Sequence, residues 1–136
     1  MARLRRALAD AHLDDAGSSP VEFVLVGSLL TFLTLAVMQF GLAVYVRNVV
    51  QDAAVEGAFH AALADSSIED GVQRTERIVA RAVGPQFAES IEARETDAFG
   101  YPAVEITVSS TLPILGLLGV PRTMEVTAHA PLESFD

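Results

Sequence analysis

Glu22 is the residue of this chain whose position calls for a chemical partner, because it stands at the start of a long apolar run. The 24 residues that follow it, Phe23–Val46, contain no charged side chain. An ionised carboxylate at the boundary of a lipid layer is costly unless a partner neutralises it, so such residues are functional candidates. The alternative interpretation is an interfacial acid in the first turn of a helix that begins near Pro20, where it suits the helix dipole.

A second set of candidate side chains recurs every four residues further along the chain: Asp52, Glu56 and His60. Carboxylates and an imidazole at this spacing can share a cation on one face of a helix, although one helix offers too few ligands by itself. We therefore interpret them as a solvated face. Because no nucleophile elbow, phosphate loop or metal-binding helix pair accompanies them, the sequence predicts no catalytic residue, no metal, no cofactor and no enzymatic activity.

The run after Glu22 is long enough to cross a membrane as a helix. At 1.5 Å per residue its length reaches roughly 36 Å, against about 30 Å for a hydrocarbon core. It is too long for a secretory signal peptide, and no small-x-small cleavage site ends it. Three arginines precede the run and one, Arg47, follows it directly, so we expect a cytoplasmic amino terminus and an extracytoplasmic remainder.

Composition narrows the possible functions further. The chain has 136 residues, enough for one small domain besides the membrane segment, and its formal charge is −9. Such an excess of acids argues against binding to nucleic acid, which needs clustered cations. No cysteine is present, so disulfides and thiolate metal sites are excluded.

The residues directly after the membrane segment predict an extension of the same helix. Residues 47–64 contain six alanines and no proline, which favours helix. We expect one helix from about Pro20 to Ala64. Mostly small residues recur along it at helical spacing: Val46, Val49, Val50, Ala53, Gly57, Ala61 and Ala64. This stripe could receive a partner helix, but packing against the rest of the same chain is the preferred interpretation.

A second, amphipathic helix is predicted from Ile68 to Val83. Ser67 and Asp70 have the spacing of an amino-terminal capping box, and Gly84-Pro85 ends the pattern. The arginines of this helix could touch anionic headgroups, although a solvated face is the preferred explanation. The stretch 86–94 is compatible with either a short helix or a loop.

The final third of the chain has the period of β-strands. Apolar and polar residues alternate over 104–109 and again over 124–130, which predicts an antiparallel pair with one face on the helices. The connection 112–121 is unusually apolar. Either it folds over the core, which we slightly favour, or Leu115, Leu117 and Leu118 contact the membrane or a partner. The predicted fold class is α+β: a long amino-terminal helix, a second amphipathic helix and a small antiparallel hairpin or sheet.

Two stretches carry a family resemblance. Gly17-Ser18-Ser19-Pro20-Val21-Glu22-Phe23 resembles the processing site of type IV prepilins of the tight-adherence (Flp) class, and residues 38–54 resemble TadE-like pilus assembly proteins. The resemblance implies that a prepilin peptidase cuts between Gly17 and Ser18. Glu22 then becomes the fifth residue of the mature chain, as the assembly carboxylate, and Phe23 its adjacent aromatic.

The resemblance also implies an organisation and a set of partners. Residues 1–17 are the cytoplasmic leader peptide, 18–46 the transmembrane helix and 47–136 the extracytoplasmic α+β domain. The partners are the membrane, the prepilin peptidase, the pilus platform proteins and other pilin-like subunits. The chain is then a pilin-like minor or assembly component. The alternative is a single-pass, membrane-anchored extracytoplasmic binding module that is not processed.

Overall fold

The computed structural model describes residues 2–98, 100–111 and 124–133, with side chains from Ser19 onward. The elements in chain order are α1 (Ala2–Ala62), α2 (Ile68–Ala82), a 3₁₀ turn (Pro85–Phe87), β1 (Ser90–Thr96), β2 (Ala103–Ser110) and β3 (Met124–Pro131). The predicted α+β class is confirmed. The apolar connection with Leu115, Leu117 and Leu118 lies outside the described residues. Backbone contacts divide the chain into two units, 1–38 and 39–136.

Helix α1 begins earlier than the sequence predicts. We expected a start near Pro20, but the helix extends back to Ala2 and contains that proline in its interior. Residues 2–16 are rich in alanine, leucine and arginine, whose helix propensity is high enough to continue the helix past the proline. The helix ends at Ala62, whose carbonyl accepts a hydrogen bond from the backbone N–H of Glu133 at 3.0 Å. The chain after β3 thereby satisfies one of the carbonyls left open at this helix end.

The small-residue stripe of α1 packs against its own unit, as the preferred interpretation predicted. Val46, Val50, Ala53 and Ala61 of the stripe are buried in the core, together with the adjacent Ala54 and Ala58. The sheet supplies the largest side chains of the same cluster, above all Ile106. Because alanines bring the helix backbone close to its neighbours, the core is filled mainly from the strands. Ala64, which we included in the stripe, is exposed beyond the helix end.

The two helices of this unit approach each other most closely at a pair of glycines. A Cβ atom on Gly71 would lie 2.7 Å from the carbonyl oxygen of Gly57 and 2.5 Å from the Cβ of Ala61, so no larger residue fits. Thr75 is fully buried beside them and donates its hydroxyl to the carbonyl of Ala53, at 3.3 Å, and to that of Gly71, at 3.0 Å. Later residues of α2 thus meet earlier residues of α1, and the helices are antiparallel.

The predicted capping box at the start of α2 is confirmed. The Ser67 hydroxyl accepts a hydrogen bond from the Asp70 backbone N–H at 3.2 Å, and the Asp70 carboxylate accepts from the Ser67 backbone N–H at 3.1 Å. The Ser67 hydroxyl also donates to that carboxylate, at 2.7 Å. Hydrogen bonds from the Ser67 side chain, and then from its backbone, lower the pKa of Asp70, with small contributions from His60 and Arg77.

Replacing Ser67 by alanine is expected to destabilise the start of α2 by about 1 kcal/mol, as is usual for an N-cap serine. Because folding lowers the pKa of Asp70, the stabilisation by its ionised form is present above the ordinary pKa and is lost as the pH falls through the lowered one. Hydrogen exchange of the first α2 amides, measured against pH, should show this loss in the unmodified chain and a weaker pH dependence in Ser67→Ala. Equal profiles for the two proteins would contradict the role of the box.

The carboxy-terminal sheet has three antiparallel strands in the order β1-β2-β3. The predicted pairing of the last two strands is confirmed, with Ile106 opposite Ala128. The additional strand, β1, lies on the other side of β2 and places Ala93 opposite Ile106. The sequence analysis allowed a short helix or a loop for 86–94, but residues 90–94 belong to this strand, so neither alternative is right for them. Only Ile91 and Ala93 give β1 an apolar face, and both are partly buried, so its alternation is weak.

Candidate assembly site on the amino-terminal helix

Glu22 and Phe23 are both exposed on α1. The Phe23 side chain is 80% exposed, which is unfavourable in water and is explained by a lipid or protein environment that covers this part of the helix. Among the side chains that the structure describes, Glu22 has no hydrogen bond and no ion pair. The carboxylate is therefore available to a group outside the chain, or to the amino-terminal segment whose side chains are not described.

The predicted cleavage position lies in the same helix. Gly17 and Ser18 have helical backbone within α1. Pro20 lacks the N–H that would bond to the carbonyl of Ala16, and glycine is a poor helix former, so two weak positions flank the Gly17–Ser18 bond. A protease that needs an extended substrate can unwind the helix here more easily than elsewhere along it. Four residues, about 6 Å of helix rise, separate Ser18 from Glu22.

The apolar part of α1 meets the requirements of a membrane span. Within Ser19–Ala62 an 18-residue window reaches a mean hydropathy of 2.2, and none of that window is buried within the protein. Length and composition together make this helix a candidate for crossing a bilayer. Two threonines in the run donate hydrogen bonds from their hydroxyls to backbone carbonyls four residues earlier: Thr31 to Gly27 and Thr34 to Leu30, both at 2.8 Å. Their polar atoms are thereby satisfied without water.

The second set of candidate side chains, Asp52, Glu56 and His60, lies in the part of α1 that belongs to the unit 39–136. Glu56 is bound by Arg74 of α2, whose Nη2 and Nε lie 2.5 and 3.0 Å from the same carboxylate oxygen. Asp52 is exposed and His60 is half-buried. The described part of the chain contains no group of three or more ligand side chains that could hold a metal ion. The solvated-face interpretation accounts for these residues.

The outer face of the sheet carries polar side chains that the sequence analysis did not single out. Arg94 of β1 contacts Glu105 of β2 at 2.7 Å, and the hydroxyls of Thr107 and Thr127 lie 3.2 Å apart across β2 and β3. A shallow depression of about 360 Å³ lies over this face, next to Glu125. Cross-strand pairs of this kind stabilise a solvated sheet surface, and the period-two alternation was the signal that could have located them.

Comparison with known proteins bears directly on the amino-terminal helix. A family model described as TadE-like protein matches residues 17–58. Over this segment the chain is similar to TadE-like proteins. The TadE-like match begins at Gly17, includes Glu22 and Phe23, and ends within the part of α1 that belongs to the unit 39–136. The family is one of pilus assembly components and is not known for enzymatic activity. No curated protein and no solved structure gave a match to the chain.

Proposed function

We propose that this chain is a pilin-like assembly component of a tight-adherence (Flp) type IV pilus system, anchored in the membrane by α1. The proposal is supported by the TadE-like match over residues 17–58, together with an apolar helical run that follows Glu22, an acid with no ion pair among the described side chains. The amino terminus is cytoplasmic, 18–46 spans the bilayer and 47–136 is extracytoplasmic. Within the pilus system the partners are the platform proteins and other pilin-like subunits.

Processing by a prepilin peptidase is the second part of the proposal. Cleavage between Gly17 and Ser18 removes the leader and leaves a positively charged amine on Ser18. The Glu22 carboxylate of a neighbouring subunit pairs with that amine as the subunits assemble. Each charge is costly in lipid by itself, whereas the pair is tolerated, so the interaction favours assembly in register. The role of Glu22 is docking, with no bond made or broken by its carboxylate.

Intact-mass measurement of the membrane-bound protein from its host tests the processing step. The expected chain lacks residues 1–17 and begins at Ser18, with or without a methyl group on the amine. A strain that lacks the prepilin peptidase serves as the control, and there the chain should still begin at Met1. A protein that retains residues 1–17 in the peptidase-containing strain would favour the unprocessed, membrane-anchored binding module instead.

A further inference from the structure

The unit 39–136 is called the outer unit below, because the proposed function places most of it outside the membrane. Three of its exposed arginines have no carboxylate partner among the described residues: Arg47 on α1, and Arg77 and Arg81 on α2. The Nε of Arg77 donates a hydrogen bond to the backbone carbonyl of Gln73 in the same helix, at 3.2 Å. In a chain of net charge −9, acids for pairing are abundant. Within the described residues these three guanidinium groups are therefore available to an anion outside the chain.

The antiparallel packing of the helices brings these arginines to one end of the unit. The Thr75 hydroxyl binds the carbonyl of Ala53, which fixes one point where the helices meet. Arg81 is six residues after Thr75, and Arg47 is six residues before Ala53. Six helical residues span about 9 Å in both helices, so Arg81 reaches approximately the height of Arg47. Arg77 lies about one turn away on the same face of α2.

That height is where the apolar run of α1 ends. Val46 is its last residue, and Arg47 follows directly. If the run crosses a bilayer, Arg47 lies at the level of the lipid headgroups, and Arg81 lies there with it. Arg77 and Arg81 also line a shallow depression of about 170 Å³, together with Arg74 and Ile78. This end of the unit thus combines unpaired guanidinium groups with the position of the membrane surface.

We propose that Arg47, Arg77 and Arg81 bind the phosphates of anionic phospholipids in the membrane that α1 crosses. A guanidinium group donates two parallel hydrogen bonds to one phosphate and loses little hydration energy on doing so. Of the acids nearby in the chain, Glu89 accepts a hydrogen bond from Thr111 at 3.4 Å, and Glu76, which directly precedes Arg77 in α2, forms no ion pair with a described residue. Asp70, whose pKa Arg77 helps to lower, is held by the capping box at the start of that helix.

The inference rests on the membrane anchoring included in the proposed function, but on neither the cleavage nor the role of Glu22. Its consequence is that the outer unit is held against the lipid surface through α2. Anionic lipid should favour this arrangement, and high salt should weaken it by screening. Loss of Arg77 and Arg81 together is expected to lower the ratio of docked to undocked molecules about 30-fold, or roughly 1 kcal/mol for each arginine.

A single fluorescent label provides the test, because the chain contains no cysteine. The full chain with Ala82→Cys, at an exposed residue beside Arg81, is labelled and reconstituted into phosphatidylcholine vesicles, with or without phosphatidylglycerol. A trace of lipid with a headgroup nitroxide quenches any label at the surface. Quenching should rise with phosphatidylglycerol, fall at high salt and be lost in Arg77→Gln/Arg81→Gln. The matched control Arg94→Gln removes an arginine that is paired with Glu105 and should behave like the parent.

The outcomes separate the two proposals. A chain that alkaline carbonate extracts from the vesicles is not inserted, which overturns the anchoring and the lipid contact together. If the chain is inserted but its quenching is the same with and without phosphatidylglycerol, and the same in the double variant, only the proposed lipid contact is overturned. A signal that responds to inorganic phosphate at matched ionic strength, but not to lipid composition, assigns the arginines to a soluble anion and also overturns it.

Discussion

Replacing Glu22 by alanine is expected to abolish incorporation of the chain into the pilus machinery, while membrane insertion and cleavage after Gly17 persist. Removing one member of a buried ion pair usually costs about 3–5 kcal/mol, so the loss of assembled subunits should be on the order of 100-fold or more. Insertion should not suffer, because alanine is easier to place in lipid than an acid. The measurement is the amount of chain in sheared surface fibres and in purified assembly complexes, relative to the membrane fraction.

Asp52→Ala is the matched control for this experiment. It removes an exposed acid of the same helix but lies outside the apolar run, so its assembly should equal that of the parent. The intact mass of each variant reports whether cleavage still occurs. Pili produced at normal levels by the Glu22→Ala chain would show that Glu22 is only an interfacial acid at the start of a membrane helix.

Replacing Gly57 by leucine is expected to have the largest effect on the stability of the outer unit, about 3 kcal/mol from overpacking. Even the first added carbon would overlap the Thr75 hydroxyl and would lie 2.8 Å from the Gly71 carbonyl oxygen. The antiparallel helices must then separate, which also breaks the buried hydrogen bond from Thr75 to Ala53. Deuterium uptake by the β2 amides in detergent, which reports opening of the core, should accelerate strongly.

Gly41→Leu provides the comparison for the same change in the same helix. Apart from its chain neighbours and the adjacent helix backbone, no described atom lies within 4 Å of the Cβ position at Gly41, so the added side chain displaces no other part of the protein. Uptake by β2 should therefore remain at the parent rate. If the two leucine variants exchange alike, the close contact between the helices does not determine the stability of the unit.

The sequence predicted the elements with strong local signals. The extension of α1, the capping box of α2 and the alternation in β2 and β3 each depend on residues close together in the chain, and all are found. The sequence missed β1 because Glu92, Arg94 and Glu95 leave that strand little apolar character. It is stabilised by pairing with β2, a non-local interaction.

The contact between the helices shows a second limit. Of the larger apolar residues of the predicted amphipathic helix α2, Val79 is fully buried, whereas Val72 and Ile78 are only partly buried. The other two buried residues of α2 are Gly71 and Thr75, whose small size permits the close approach. Considered by its helix propensity alone, Gly71 is predicted to destabilise α2. Its role in the close approach of the two helices is evident only when the opposite residue, Gly57, is known.

At the candidate assembly site the structure adds little to the sequence. Glu22 was singled out as an acid before a long apolar run, Phe23 and the Gly17–Ser18 bond came from the family resemblance, and the family match covers the same residues. Folding brings no second group of this chain to the acid among the described side chains. The pairing of Glu22 and the cleavage of the leader stay predictions until the assembled and processed protein is analysed.

The proline inside α1 gives the proposed cleavage a physical consequence of its own. In the uncleaved chain Pro20 interrupts the hydrogen-bonded ladder, at a cost of about 3 kcal/mol for a helix interior. In a chain that starts at Ser18 the same residue is third, within the first turn, where backbone N–H groups have no carbonyl to reach and proline is well tolerated. Removal of the leader would thus place Pro20 in the first turn of the mature helix, where it favours helix initiation and no longer interrupts the hydrogen bonds of the helix interior.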